Sequence, residues 1–176
     1  MKKTLMIAAA ATLAAACGSM QQGIGSGNVA VAELQPTKGN SVTGTVTFSQ
    51  RGNRIRVEAN VRGLKPDAEH GFHVHEKGDC SSGDGMSAAG HFNPGGSPHG
   101  NYHAGGPMHA GDMPNLRADG EGNARAVFET AGMSIGSGQA DIVGKGLIVH
   151  RDPDDYKSQP AGNAGARLAC AVIRKR

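Results

Sequence analysis

The sequence contains no tryptophan, and all aromatic residues together make up only 3% of its 176 residues. It has no repeat of fixed period, which excludes solenoid and propeller folds. Its one long apolar run is too short to span a bilayer stably. No segment has the apolar spacing of a long amphipathic helix, so a fold built from helices is excluded as well. One domain accounts for a chain of this length.

A strong excess of charge is also missing. Lys and Arg number 18 and Asp and Glu number 15, which gives a formal net charge of +3. Lys2 and Lys3 belong to a segment that we expect to be removed, and without them 16 basic and 15 acidic residues leave a net charge near +1. A chain so close to neutral gives no support to nucleic-acid binding.

The first residues have the pattern of an export signal. Lys2 and Lys3 precede an apolar run that ends at Ala16, as in the basic and hydrophobic regions of a secretory signal. We therefore predict a signal peptide over residues 1–17. Residues 18–27 are rich in Gly, Ser and Gln and are predicted to be a flexible linker, with the folded domain over residues 28–176.

Cys17 lies at the end of the predicted signal. Residues 13–19 resemble a bacterial lipobox, in which this cysteine is acylated and tethers the protein to a membrane. The match is imperfect because Leu13 lies one place too far upstream, and cleavage by the ordinary signal peptidase is the alternative. Both alternatives predict export to the periplasm or cell envelope of a bacterium, as a membrane-anchored lipoprotein or without an anchor.

The other two cysteines, Cys80 and Cys170, lie in the predicted domain. Export makes a disulfide between them chemically feasible. It would close a loop of about 90 residues, for which the chain-entropy model gives about 4 to 5 kcal/mol less any strain. That is a large share of the stability of a domain that is rich in glycine and lacks tryptophan.

Short runs with strand character follow one another through the domain. Apolar and polar residues alternate most clearly over residues 54–61, and turn residues such as Gly52 and Gly120 separate the runs. The runs lie at 29–34, 42–48, 54–61, 71–76, 124–129, 146–150 and 168–173. Seven or eight short antiparallel strands predict an all-β fold, either a β-sandwich or a flattened barrel.

Two segments lack this pattern. Between Cys80 and Leu116 a long stretch rich in Gly and Pro contains metal-ligand side chains, namely His91, His99, His103, His109 and Asp112. Loops of this length are usually functional or disordered, and the ligand side chains indicate that a metal orders this one. A second loop, residues 151–165, is predicted to cover the other side of the same site.

The histidines indicate metal before any other chemistry, because histidine is the commonest metal ligand. Six of the eight fall in short segments around His73, His91, His99, His109 and His150. Residues two apart on a strand point to the same face, so His73 and His75 project together while Val74 points away. This pair is predicted to be half of a copper-type site.

Five segments, GFHVHE, GHFNP, HAGD, LIVH with Asp154 and Asp155, and GNAGARLAC, occur in this order. Over residues 28–174 the chain resembles copper,zinc superoxide dismutases of the bacterial secreted type. The resemblance implies a Greek-key β-sandwich or flattened barrel of about eight antiparallel strands with two long functional loops. It also implies one copper and one zinc per chain. The implied activity is dismutation of superoxide to oxygen and hydrogen peroxide by a copper redox cycle, as antioxidant defence outside the cytoplasm.

The same resemblance assigns roles to particular residues. It implies four copper ligands, His73, His75, His91 and His150. It implies four zinc ligands, His91, His99, His109 and Asp112, so that His91 bridges the metals. It further implies that Asp154 joins His73 to His99, that Arg167 lies beside copper, and that Cys80 pairs with Cys170.

The chemistry of the residues agrees with these roles. Four imidazoles suit copper, whereas three imidazoles and a carboxylate suit a tetrahedral, redox-inert zinc. Arg167 supplies a charge for a small anion, and Lys157 is expected to add to its field. The loop over residues 151–165 is shorter than in the eukaryotic enzymes and lacks their run of glutamates and lysines, which leaves the source of further steering charge open.

Several alternatives stay open from the sequence. His103 could replace His99 on zinc, because the stretch from His99 to His109 is longer than in familiar members of the family. Otherwise His103, like His70, is interpreted as a solvated loop residue. Asp155 is the alternative to Asp154. A non-catalytic copper-delivery domain and a copper-only enzyme are the competing functions, and the protein could be a monomer or a homodimer.

Overall fold

A computed structural model describes residues 28–176. The predicted signal peptide, the linker and Cys17 lie outside the described residues. Ten strands follow one another along the described part of the chain: β1 Val29–Pro36, β2 Thr43–Arg51, β3 Arg54–Arg62, β4 Glu69–His70, β5 Phe72–His75, β6 Leu116–Arg117, β7 Ala124–Thr130, β8 Gly146–His150, β9 Arg167–Val172 and β10 Arg174–Lys175.

All seven predicted strands are present, with boundaries that differ by at most three residues. The additional strands β4, β6 and β10 have only two residues each, too few to show an alternating pattern in the sequence. The helical segments among residues 28–176 are two short 3-10 turns, Met86–Ala88 and Tyr102–Ala104. None of the described helices has the apolar length that a bilayer crossing requires.

The strands form one curled antiparallel sheet. Its order is β5-β8-β9-β1-β2-β3-β7, with β10 beside β1, while β4 pairs with β6 as a second, two-stranded sheet. The neighbours of β3 are β2 and β7, so the chain leaves the β1–β3 layer for three strands before it returns. This long return is the Greek-key connection, and the predicted all-β class is confirmed.

The core lies inside the curl of the sheet. The alternation predicted for β3 is confirmed by its burial: Ile55, Val57, Ala59 and Val61 are buried, and the residues between them are exposed or half-buried. The strand β8 is buried along its whole length because both of its faces are covered. The core therefore supports β5 and β8, the strands that hold three of the predicted copper ligands.

The free edge of β5 is covered by two pieces of the long loop. Val74 N donates to Gly111 O at 3.0 Å, Phe92 N donates to Val74 O at 2.8 Å, and Gly111 N donates to Phe92 O at 2.9 Å. A Cβ on Gly111 would collide with the Val74 carbonyl oxygen, so this close approach requires glycine. These bonds place His91 opposite His75 and Asp112 opposite His73.

The predicted disulfide between Cys80 and Cys170 is confirmed. It joins the start of the long loop to β9, with 5.8 Å between the two Cα atoms. Because Arg167 begins the same strand, the disulfide and the arginine belong to one rigid element.

Candidate metal centre

The predicted ligands meet in two buried clusters that have His91 in common. The members of the first cluster are His73, His75, His91 and His150, and those of the second are His91, His99, His109 and Asp112. Within each cluster one ligand atom per residue lies within 4.8 Å of all the others. Every one of these seven side chains is buried. The site is therefore assembled from two strands and both ends of the long loop.

Main-chain carbonyls orient two imidazoles of the first cluster. His75 Nδ1 donates to Ala89 O at 2.9 Å, and His150 Nδ1 donates to Gly165 O at 3.2 Å. These bonds occupy the outer nitrogen of each ring and leave the two Nε2 atoms facing each other at 3.4 Å. Fixing the tautomer in this way leaves the Nε2 lone pairs available to a metal.

His73 is turned the other way. Its Nε2 donates to Asp154 Oδ2 at 2.9 Å, while its Nδ1 has no hydrogen-bond partner among the described residues. The Nε2 of His91 is likewise buried without a partner. Buried polar atoms are almost always hydrogen-bonded, so two orphaned imidazole nitrogens in one cluster fit a bound cation.

Asp112 organises the second cluster. Its Oδ1 lies 2.8 Å from His91 Nδ1, and its Oδ2 lies 3.0 Å from His99 Nδ1. His109 Nδ1 lies 3.4 Å from Asp112 Oδ1 and 3.4 Å from His91 Nδ1. Main-chain N–H groups of Gly100 and His109 donate to Asp112 Oδ2 and hold the carboxylate in place. Three imidazoles and one carboxylate are a donor set that suits zinc.

His91 therefore presents one nitrogen to each cluster. Its Nδ1 faces Asp112, and its Nε2 is the orphaned atom near the first cluster. The ring also packs against His73, with 4.0 Å between the ring centroids. One imidazole with both nitrogens directed at ligand sets can connect two metals directly.

Asp154 connects the two clusters a second time. Its Oδ1 accepts a hydrogen bond from His99 Nε2 at 3.0 Å, and its Oδ2 accepts the bond from His73. Burial would raise the pKa of Asp154, but the bonds from His73, His99 and the Tyr156 main chain outweigh burial and hold that pKa well below its ordinary value. Asp155, in contrast, accepts bonds from its own loop, from Ser158 and Asn163.

The two clusters differ in electrostatics. Burial lowers the pKa of His73 to about 4 and the pKa of His150 to about 3, so both imidazoles are neutral near pH 7, the state that ligates metals. Burial also acts to lower the pKa of His99, but bonds to Asp112 and Asp154 outweigh it and raise the pKa to about 9. The carboxylates thus create a field at the second cluster that favours a cation.

Arg167 lies at the side of the first cluster. Its Nη1 donates to Gly85 O at 2.6 Å, and its Nη2 donates to Ala89 O at 2.6 Å. The Ala89 carbonyl is also the acceptor for His75, so one oxygen fixes both a predicted ligand and the guanidinium. The Ala89 backbone has φ 62° and ψ −149°, a region that residues other than glycine rarely adopt.

Several groups that position the site have no signal in the sequence. Asn115 Nδ2 donates to the Asp154 main-chain oxygen at 3.0 Å, and Asp154 N donates back to Asn115 Oδ1 at 2.9 Å. Gln159 holds the main chain of His99 in the same reciprocal way. A Cβ on Gly162 would collide with the Asp154 carboxylate. Amides and glycines in loops resemble ordinary turn residues, and carbonyl acceptors such as Ala89 O depend only on backbone shape.

The interpretation of His70 as a solvated residue is wrong. Its side chain is buried, with 1% exposure, and its Nδ1 donates to the main-chain oxygen of His150 at 2.8 Å. In the sequence, a single histidine two residues before β5 has no feature that distinguishes it from an exposed turn residue. His103 is exposed, as predicted, and its ring packs edge-on against Tyr102 and Tyr156 outside both clusters. Lys157 is exposed on the second loop.

Comparison with known proteins gives consistent matches. A family model described as copper/zinc superoxide dismutase matches residues 42–173. A curated relative, "Superoxide dismutase [Cu-Zn] 2" of Aquifex aeolicus (strain VF5), is 44% identical over 147 residues, which cover 81% of this chain and 85% of the relative.

Among solved structures, the clock protein EA4 matches with a TM-score of 0.76 and 36% identity, over 88% of this chain and 99% of that one. A double mutant of a SOD-like protein from Bacillus subtilis matches with a TM-score of 0.73 and 33% identity, over 82% of this chain and 96% of that one. These identities and coverages show a shared family as well as a shared fold.

Proposed function

The chain belongs to the copper/zinc superoxide dismutase family, whose members contain one copper and one zinc per chain, and we propose that its two histidine clusters hold these metals with His91 between them. The substrate is accordingly superoxide, and the enzyme is an oxidoreductase. The finer proposal concerns which atoms bind which metal and what the surrounding residues do in the cycle.

The proposed ligand atoms follow from the hydrogen bonds. Copper would be held by four nitrogens that point into the first cluster, because the other nitrogen of each ring is hydrogen-bonded or faces Asp112: His73 Nδ1, His75 Nε2, His91 Nε2 and His150 Nε2. Zinc would be held by the atoms gathered around Asp112: His91 Nδ1, His99 Nδ1, His109 Nδ1 and Asp112 Oδ1. The observation that supports this assignment most directly is the position of His91, with one nitrogen directed at each set.

When bound, copper supplies one-electron redox chemistry and zinc supplies a fixed positive charge that does not change oxidation state. His91 handles a proton: its Nε2 takes one up in the half of the cycle that releases oxygen and donates it to the second superoxide. With a second proton from solvent, two superoxide ions and two protons give one oxygen and one hydrogen peroxide. Asp154 keeps His73 and His99 in the tautomers that this cycle requires.

Arg167 is proposed to capture the substrate. A planar guanidinium presents forked donors and a permanent charge, which suit a small anion better than a flexible ammonium group. Two carbonyl acceptors fix its Nη1 and Nη2, so its position beside the first cluster needs no ordering when superoxide arrives. Charge of this kind acts mainly on the rate of arrival.

We further propose that the enzyme provides antioxidant defence outside the cytoplasm. The Cys80–Cys170 disulfide supports this, because disulfides persist mainly in oxidising compartments. The signal peptide over residues 1–17, the linker over 18–27 and acylation of Cys17 belong to the same proposal. Mass spectrometry of the protein from its native envelope tests it: a mature chain beginning at an acylated Cys17 is the expected result, and a retained Met1 would contradict export.

Metal content and dismutase activity, measured on one purified and remetallated sample, test the whole assignment. We expect one copper and one zinc per chain together with activity. In a sample with cobalt in place of zinc, His91→Ala should abolish the optical and magnetic coupling between the two metals, whereas His103→Ala should leave it unchanged. A chain that binds both metals without activity would support the copper-delivery alternative, and coupling that survives His91→Ala would remove His91 from the bridge.

A further inference from the structure

Two arginines flank the point where the chain enters the folded domain. Asn28 is the first described residue, and its main-chain oxygen accepts a hydrogen bond from Gln50 N at 2.9 Å. Arg51 follows Gln50 at the end of β2. On the other side, Arg176 N donates to Val29 O at 3.0 Å. Asn28 therefore lies between two strand ends that carry cations.

Two further cations lie beside them. Arg174 and Lys175 form β10, which pairs with the first residues of β1. We call the set of Arg51, Arg174, Lys175 and Arg176 the entry patch. All four residues are exposed, and none has a carboxylate partner within salt-bridge distance in the part of the chain that the structure describes.

Acidic residues at this end of the barrel are already engaged. Glu129 forms an ion pair with Arg54 at 3.3 Å, and Asp141 Oδ1 accepts hydrogen bonds from the main chain of Gly136 and Val143. Glu33 lines the same groove as Arg174, Lys175 and Arg176, but its carboxylate accepts a hydrogen bond from Thr45 and forms no ion pair with them. The cations of the entry patch are therefore available to an external anion.

We propose that the entry patch docks the enzyme onto the surface of a bilayer that contains anionic phospholipid. Basic residues next to a membrane attachment point are attracted to anionic headgroups, each contributing separately to the affinity. The patch lies around Asn28, so an anchor in the preceding 27 residues, which belongs to the proposed function, keeps this face within reach of the membrane. From an acylated Cys17, a fully extended chain to Asn28 spans at most about 40 Å.

The rest of the surface makes this docking specific to one face. Residues 28–176 contain 16 basic and 15 acidic residues, so without the four patch residues 12 basic and 15 acidic residues remain. Two of these acidic residues, Asp112 and Asp154, are buried in the candidate metal centre, so the surface outside the patch is close to neutral and offers an anionic membrane no comparable attraction. Docking through the entry patch would keep Arg167 away from the membrane. Arg167 begins β9, and the patch residues of β10 follow the end of that strand, about 25 Å further along. The site of superoxide capture then stays open to solution.

Cosedimentation with vesicles tests the proposal on the full-length protein purified from its envelope. The measured quantity is the ratio of binding to phosphatidylcholine vesicles with and without added phosphatidylglycerol. An acyl chain at Cys17 inserts equally into both, so its contribution cancels in the ratio. The wild type should prefer the anionic vesicles, and this preference should vanish as salt shortens the Debye length from about 30 Å at 0.01 M to about 3 Å at 1 M.

Charge removal at matched sites separates the patch from bulk charge. Changing the entry patch to glutamine (Arg51→Gln, Arg174→Gln, Lys175→Gln, Arg176→Gln) should lower the preference about fivefold per residue removed. The control has the same change in net charge near the opposite end of the barrel: Arg62→Gln, Lys65→Gln, Arg117→Gln and Arg125→Gln. Its preference should stay at or above that of the wild type.

Each other outcome decides against the proposal. A wild type without preference for anionic vesicles overturns it, and so does an equal loss in the patch variant and the control. Binding of soluble polyphosphate without binding to anionic vesicles overturns it in favour of a soluble polyanion. Dismutase activity and the thermal midpoint check that each variant is folded. If the fourfold patch variant does not fold, Arg51→Gln and Arg176→Gln alone should each still lower the preference about fivefold.

Discussion

The loop from Cys80 to Leu116 contains two exchangeable candidates for one zinc ligand, and only one of them lies in the cluster. His99 is buried between Asp112 and Asp154, whereas His103 is exposed against two tyrosine rings. The sequence alone does not distinguish His99 from His103 as the zinc ligand, because a longer stretch before His109 is compatible with either. The difference arises from Gln159, whose side chain fixes the main chain of His99.

His99→Ala should therefore weaken zinc retention far more than His103→Ala. Changes in residues that only orient ligands typically cost about 10- to 100-fold in metal affinity, so loss of the ligand itself should exceed about 100-fold. Zinc affinity measured by chelator competition checks this. His103→Ala is the matched control, since it removes a histidine from the same loop without touching the cluster. The reverse ranking would assign zinc to His103.

A second prediction concerns the Arg167 guanidinium beside the proposed copper ligands. Arg167→Glu should reduce the dismutase rate by at least about tenfold, because it reverses the field that attracts the anion. Copper content should stay unchanged, since no ligand is altered. Arg167→Lys should retain part of the rate, because the charge remains while the forked donors are lost.

The salt dependence of the rate provides the check for Arg167. The wild-type rate should fall as ionic strength rises and screens the attraction, while the rate of Arg167→Glu should stay flat or rise. Stopped-flow measurements over a range of salt concentrations distinguish these trends. The same slope for wild type and Arg167→Glu would show that another group attracts superoxide.

At the scale of elements, the loop over residues 151–165 acts as a clamp on Asp154. Asn115 holds the main chain of Asp154, Tyr156 N donates to its carboxylate, and Gly162 packs directly against it. The carboxylate is thus held from three sides before it reaches His73 and His99. The observed contacts of this loop therefore serve to position the carboxylate.

Gly162→Ala should accordingly disturb the metal centre, although Gly162 is not itself a proposed metal ligand. Its added Cβ would collide with Asp154, and the displaced carboxylate would release His73 and His99. We expect lower zinc retention and a changed copper spectrum. Gly52→Ala is the control, because Gly52 has a φ of +60° close to the +63° of Gly162 but nothing within 4 Å of its Cβ position. Equal effects of both variants would attribute the change to backbone strain alone.

The sequence predicted the elements that depend on periodic patterns. Alternation located β3, and the two-residue spacing of His73 and His75 correctly placed both rings near each other on β5. Other elements depend on long-range geometry that no local pattern encodes. The strands β4 and β6 are too short to alternate, and His70 is buried only because β4 pairs with a strand that begins 46 residues later.

For the whole molecule, the Cys80–Cys170 disulfide is the main covalent constraint among the described residues. The loop it closes, with a sequence separation of 90, includes β6 to β8 and most of the predicted ligands. In the unfolded state this constraint removes conformational entropy, which the chain-entropy model sets at about 4 to 5 kcal/mol. Metal binding and the disulfide therefore stabilise the same part of the chain.

Replacing both cysteines, Cys80→Ser with Cys170→Ser, should lower the midpoint of thermal unfolding by about 10 °C, since each kcal/mol is worth about 2–4 °C in a domain of this size. Differential scanning calorimetry on the metal-free protein measures the effect without the contribution of the metals. Reduced wild type serves as the control and should unfold close to the variant. A midpoint within about 2 °C of the oxidised wild type would show that the constraint adds little.

The carbonyl of Ala89 ties two properties of the enzyme to a single backbone angle. Because this oxygen accepts from both His75 and Arg167, any rotation of its peptide plane moves the proposed copper ligand and the proposed substrate-capturing group together. The backbone at position 89 has a conformation that residues other than glycine rarely adopt, so a larger side chain there would strain the same peptide. Natural variants that adjust both properties would then differ in loop shape between residues 80 and 90, while the ligands and the arginine stay the same. A comparison of the ligand and arginine positions in the sequences alone would not detect such a difference in backbone conformation.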